Sequence, residues 1–155
     1  MPSIRIETER LILQPRSIAE MESLCANEPS PELKQAYGEM LATMRAVPAQ
    51  AHWGSNWRIS QNDGTVVGGL CFKGAPDANG LVELGYGIDE PYRRRGYATE
   101  AVAAILCWAL AQAAVRAVLA ETEDDNIASQ NTLLHNGFRP AGRGAEGLLF
   151  RIDNP

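Results

Sequence analysis

Residues 81–109 run a short strand pattern, an arginine-rich turn and a long apolar helix pattern together: LVELGYGIDEPYRRRGYATEAVAAILCWA. Within LVELGYGI the residues alternate. Val82, Leu84, Tyr86 and Ile88 form one apolar set, and Leu81, Glu83, Gly85 and Gly87 form the other. Alternate residues of a strand point to opposite faces of its sheet. One face therefore packs on a core, and the other offers a carboxylate beside two positions without side chains. Glycine inside a strand weakens it and marks a bulge or a close approach to the backbone. Beyond the turn, Val102, Ile105, Leu106, Ala109 and Ala113 follow helical spacing, which predicts a helix over about 98–114.

Arg93, Arg94 and Arg95 sit where that helix begins. A helix N-terminus carries unpaired backbone N–H groups and about half a positive charge, so acids belong there and arginines are repelled. Three arginines at this place cost stability unless an anion sits among them. Gly96 lets such an anion reach the backbone amides, as in phosphate cradles. The alternative is a solvated surface run, and the position directly after a glycine-bearing strand tells against it. The nucleotide P-loop pattern is absent, and Gly85-Tyr86-Gly87 lacks the third glycine of a dinucleotide fingerprint.

The rest of the chain is acidic, with 14 Lys and Arg against 19 Asp and Glu, a net charge of −5. That balance argues against a nucleic-acid partner, which normally meets a basic face. The length of 155 residues suits one domain, 1–155. Cys25, Cys71 and Cys107 are odd in number and far apart, so neither a disulfide framework nor a CxxC metal site is suggested. The N-terminus lacks an apolar signal core, and a reducing cytoplasm is the expected compartment. AVAAILCWALAQAAV contains Gln112 and falls short of the ~20 residues that span a bilayer, so it reads as a buried helix rather than a membrane segment. His52 and His135 have no metal-like partner spacing, and no metal is implied.

The remaining signals predict an α+β protein. RLILQP (10–15) reads as a strand, Ser17 caps a short helix, and Ser30-Pro31 starts another that runs to about Val47. Trp53–Gln61 and Thr65–Phe72 flank the hairpin signal Asn62-Asp63-Gly64. Strands follow at Val115–Glu121, Phe138–Gly142 and Leu148–Ile152, and Asn126 caps a helix ending at Gly137. Glu121, Glu123, Asp124 and Asp125 suit the start of that helix.

Arg93-x-x-Gly96-x-Ala98 matches the Q/R-x-x-G-x-G/A signature of the GCN5-related N-acetyltransferases (GNAT), and the chain resembles their RimJ/RimL-like branch. TERLIL (8–13) is similar to that branch's opening strand. VELGYGIDEPYRRRGYATEA (82–101) is similar to its central motif, and NIASQNTLLHNGF (126–138) to its second. The resemblance implies a mixed, mostly antiparallel sheet of about six or seven strands flanked by about four helices. It also implies transfer of acetyl from acetyl-CoA to a primary amine, on a peptide or a small molecule.

By that resemblance the strand through Ile88 lies beside the pantetheine arm. The diphosphate sits on the amides of Arg94, Arg95, Gly96, Tyr97, Ala98 and Thr99, with the arginines, Arg93 included, adding charge. Asn126 is a secondary cofactor contact beside its capping role. Backbone donors stabilise the developing oxyanion. Glu83, on the glycine side of its strand, is the candidate base, directly or through a water. Many family members place a tyrosine where this chain has Leu133, and Ser129 is the substitute candidate for protonating the departing thiolate. A non-catalytic CoA-binding module remains the alternative. Dimerisation, common in the branch, and the identity of the acceptor are not legible; the segment 25–55 carries no readable code.

Overall fold

The computed structural model describes residues 4–155. Its strands are β1 (Ile6–Glu7), β2 (Leu11–Pro15), β3 (Asn56–Gln61), β4 (Val66–Phe72), β5 (Leu81–Ile88), β6 (Ala117–Thr122), β7 (Arg139–Arg143) and β8 (Leu148–Asp153). They form one sheet in the order β1-β2-β3-β4-β5-β6-β8-β7. Four α-helices accompany them: α1 (Ile18–Ala26), α2 (Pro31–Ala46), α3 (Tyr97–Leu110) and α4 (Ile127–His135). The sheet exceeds the expected six or seven strands because the two-residue β1, too short to leave a pattern, pairs with β2.

Neighbouring strands are antiparallel except β5 and β6, which run parallel and need a crossover; α3 supplies it. The α3 residues Val102, Ile105, Leu106 and Ala109 are buried against Leu13, Trp57, Ile59, Leu70, Val82 and Leu84 of the sheet. The alternation expected for β5 holds: Val82, Leu84 and Ile88 are buried, while Glu83, Gly85 and Gly87 are not. On the opposite face stand α1 and α2. Glu20 of α1 pairs with Arg58, whose chain neighbours Trp57 and Ile59 point into the α3 core. Helices α1 and α2 bury a small core of their own, Met21, Leu41 and Met44.

Local signals explain most boundaries. Ser17 and Glu20 form a capping box on α1, and Ser30 accepts from Leu33 N ahead of Pro31. The two largest boundary shifts have tertiary causes. Trp53 ends a 3₁₀ turn (Pro48–Trp53) instead of opening β3, because its ring packs 4.9 Å from Phe72 and 5.0 Å from Trp108. Helix α3 stops at Leu110, four residues early. There Asn154, far along the chain, donates to Leu110 O at 2.8 Å and Val115 O at 2.9 Å, holding the turn into β6. Among the described residues no helix is long and apolar enough to cross a membrane, and Cys25, Cys71 and Cys107 are free.

Candidate active site

β5 and β6 pair only through Leu81–Ala117, Val82–Val118 and Glu83–Leu119. Past Glu83 the strands part. The opening leaves β5 main-chain groups without a β6 partner, and three cavities surround that stretch. Tyr86 lines all three.

The cavity on the α3 side has a volume of about 570 Å³. Ile88, Arg93, Arg94 and Gly96 line it, as do Tyr97, Ala98 and Thr99 of the first α3 turn, Asn126 at the α4 cap and Ser129 of α4. Gly96 is the α3 N-cap, at φ 82°, and no side chain caps the helix. The first-turn N–H groups therefore face the cavity with no intrahelical acceptor. Arg94 adopts φ 65°, a left-handed conformation that costs a non-glycine residue about 1 kcal/mol or more.

The three arginines are not equivalent. Arg93 lines the cavity while its Nε donates to Ile88 O at 2.7 Å, bracing the end of β5. Arg95 lies outside the lining and folds over Tyr92, 5.6 Å from the ring centroid. The Arg94 side chain makes no hydrogen bond or ion pair among the described residues, so its charge is available.

The turn is held from the sheet edge. Glu100 accepts from Thr8 Oγ1, from Arg10 N at 3.0 Å and from Arg10 Nε at 2.7 Å. Arg10 Nη1 also donates to Arg95 O at 2.8 Å, and its guanidinium lies 4.7 Å from the Tyr97 ring centroid. Burial works to raise the Glu100 pKa, but the hydrogen bonds from Thr8 and Arg10 outweigh it and hold the carboxyl below its ordinary value. Glu100, the acid in the first turn of α3, is thus fully engaged by the β1–β2 corner.

Across the opening, Tyr86 Oη lies 2.8 Å from Ser129 Oγ and donates to Ser129 O at 3.3 Å. Asn126 Oδ1 accepts from Ser129 N at 3.2 Å, so the α4 cap and β5 meet at Ser129. Burial pushes the Tyr86 phenol pKa up, keeping it a hydrogen-bond donor. Leu133 is fully buried in the core and offers nothing to the opening. Beyond Tyr86 a second cavity, about 510 Å³, is lined by Glu121, Thr122, Glu123 and Glu146; the buried Thr122 hydroxyl has no partner among the described residues.

The third cavity, about 500 Å³, lies on the opposite face beneath α1 and α2. Gly69, Gly85 and Gly87 form part of its floor, with Arg16, Tyr37 and Asn56 around it. Glu83 shares this face one alternation from Gly85 but lines none of the three cavities. Its Oε2 lies 2.5 Å from Lys73 Nζ, and Glu146 approaches the same ammonium at 3.6 Å. Burial disfavours the Lys73 charge, yet the bond to Glu83 and the neighbouring carboxylates raise its pKa overall. Among the described residues no cluster of three metal-ligating side chains occurs.

A cavity whose wall is an uncapped helix start, running to a parted pair of parallel strands, suits an elongated ligand with an anionic end. Residues 10–139 match the family model described as an acetyltransferase (GNAT) domain. The chain belongs to the GNAT family. A relative, the uncharacterised N-acetyltransferase YjdG of Bacillus subtilis, is 39% identical over 92 residues, 59% of this chain and 55% of YjdG. A second uncharacterised N-acetyltransferase of that organism, YoaA, is 26% identical over 149 residues, covering 88% of this chain and 84% of YoaA. Among solved structures, a ribosomal-protein-alanine acetyltransferase of Vibrio fischeri superposes with a TM-score of 0.77 at 13% identity, over 97% of both chains. RimL, a ribosomal α-N-protein acetyltransferase in complex with coenzyme A, superposes at 0.74 with 17% identity, over 97% of this chain and 98% of RimL. The fold of this GNAT protein is therefore the one used by ribosomal-protein acetyltransferases.

Several residues that shape the candidate site carry no mark in the sequence. Lys73 and Arg16 lie outside the motifs and carried no pattern, and nothing within TERLIL marked Thr8 and Arg10 as partners of Glu100. Tyr86 was read only as part of an apolar face; its hydroxyl partner comes from a helix 43 residues on. A tyrosine in an otherwise aliphatic set was the one available hint, since a buried phenol needs a partner.

Proposed function

We propose that this protein is an acetyl-CoA-dependent N-acetyltransferase that acetylates a primary amine in a ternary complex. The observation that carries the reading is the uncapped α3 N-terminus at Gly96, whose free amides open into the same cavity as the parted β5. The amides of Tyr97, Ala98 and Thr99, with the unpaired charge of Arg94, hold the diphosphate. Past Glu83 the unpaired β5 backbone offers N–H groups to the thioester carbonyl, the place where negative charge develops.

Acetyl-CoA, when bound, supplies the acyl group as a thioester. The acceptor approaches from the α1–α2 face. Glu83 takes one proton from the ammonium, directly or through a water, and Lys73 fixes the carboxylate while its charge disfavours the ammonium form nearby. The C–N bond forms as the C–S bond breaks, and the nitrogen's second surplus proton goes to the departing sulfur. Ser129 and Tyr86, hydrogen-bonded to each other at the opening, place a hydroxyl for that transfer.

The test pairs calorimetric binding of acetyl-CoA with thiol release against a panel of amines and peptides. Binding together with transfer is the expected result. Binding without transfer to any amine would favour a CoA-binding module without catalysis, and no binding would overturn the reading altogether.

A further inference from the structure

We propose that the acceptor amine also carries a carboxylate, and that Arg16 recognises it. This rests on the N-acetyltransfer reading and adds the acceptor's chemical class.

Arg16 follows the last residue of β2 and is partly buried beside the cavity under α1 and α2. Its Nη1 donates to Asn56 Oδ1 at 2.7 Å and to Asn56 O at 3.3 Å, which fixes the plane of the guanidinium. Nε and Nη2 have no acceptor among the described residues, and no carboxylate there reaches ion-pairing distance. The contrast with Arg58 is informative. Arg58, close enough for its charge to act on Arg16, is neutralised by Glu20, and Arg16 is left bare. Burial, and then the Arg58 charge, weaken Arg16's hold on its proton; Tyr37, Glu20 and Asp89 oppose this, Tyr37 and Asp89 from the lining of the same cavity. A partly desolvated cation without a partner is costly, and an anion supplied by a ligand offsets that cost.

The surroundings fit a small anionic amine. The planar guanidinium fork matches a carboxylate in two-point geometry. Tyr37, on α2, lines the same cavity, and its hydroxyl makes no hydrogen bond among the described residues; burial raises its pKa, so it stays a donor. The floor is open, since a Cβ placed on Gly87 would meet no atom within 4 Å. From Arg16 this floor runs to Gly85, adjacent on the same face to Glu83. An amino acid lying along it turns its carboxylate to Arg16 and its amine towards the parted strands. The volume of about 500 Å³ suits a free amino carboxylic acid or the first residues of an acidic peptide. A polyamine would meet the bare arginine with like charge.

The experiment compares matched acceptors in the thiol-release assay: free amino acids against their carboxamides, and peptides beginning with Asp or Glu against those beginning with Asn or Gln. The two pairs distinguish a free acid from a peptide source. We expect a KM for the acid form about tenfold below that of its amide, with Arg16→Gln collapsing the ratio and Arg16→Lys preserving part of it. Acetyl-CoA affinity within about twofold of the parent shows that the variants fold. Equal KM values for acid and amide in the parent protein, or a ratio that survives Arg16→Gln, would overturn the proposal. Calorimetric binding of N-acetyl amino acids in the presence of CoA tests Arg16 without turnover. Acid binding that is no tighter than amide binding overturns the carboxylate assignment even if every amine fails as a substrate, a failure that counts against the transferase reading instead.

Discussion

The two faces of β5 are built in different ways. On the α3 side the candidate donor cavity comes mostly from one continuous stretch, Ile88 to Thr99, and its working groups are main-chain amides at a helix start. On the α1–α2 side the cavity is assembled from Arg16, Tyr37, Asn56, Gly69 and Gly85, which belong to five separate segments, and its polar groups are side chains. The contrast teaches where specificity can vary. On the proposed reading, a diphosphate is held by backbone geometry that a helix N-terminus after a glycine turn provides. On the same reading, the acceptor is read by side chains that can change without disturbing the sheet.

The strongest way to break the contrast is Gly96→Val. A β-branched residue is strained at φ 82°, and its Cβ would crowd Arg10 Nη2 at 3.3 Å. Acetyl-CoA affinity should fall by about a thousandfold by calorimetry, while far-UV dichroism still reports a folded chain. Affinity within a few-fold of the parent, roughly, would remove the α3 start as the diphosphate site.

Glu83→Gln probes the other face. The turnover rate should fall by about a hundredfold at neutral pH with acetyl-CoA affinity intact, separating chemistry from donor binding. Unchanged turnover would exclude Glu83 as the base.

Tyr86→Phe acts between the faces, because it deletes the hydrogen bonds to Ser129. We expect kcat to drop roughly tenfold with little change in either KM. A loss of stability alone, with kcat unaltered, would make the pair purely structural.

The smallest effect is expected from Glu100→Gln, which loosens the clamp on the donor turn. A group whose folded pKa is depressed stabilises the fold above its unfolded value and loses that contribution as pH falls through the folded one. Glu100 is such a group, with an ordinary value of 4.5. Urea titrations should therefore show the variant about 1 kcal/mol less stable at pH 7, with the gap closing as pH falls below the ordinary carboxyl range. A gap independent of pH would mean that packing, not the carboxylate, holds the corner.

These contrasts also explain what was legible in the sequence. Val82 to Ile88 could be assigned to faces because a strand's period is two, and Gly96 stood out because arginines at a helix start need an anion. The end of α3 could not be placed, since its stop is made by Asn154 from the far end of the chain. Nor could the partner of Glu83 be found. Lys73 lies on the neighbouring hairpin arm, and only the β4–β5 register sets the two side by side.

By itself the sequence determined the alternating β5 with its open glycine face, the arginine-glycine turn and the helix that follows. Each is a local pattern whose periodicity or charge is written in consecutive residues. Only the tertiary structure decided that β5 and β6 part after Glu83, that Tyr86 meets Ser129, and that Arg16 is left without a carboxylate over a glycine floor. Those depend on strand register and helix placement, which bring together residues tens of positions apart, and no local pattern carries that distance.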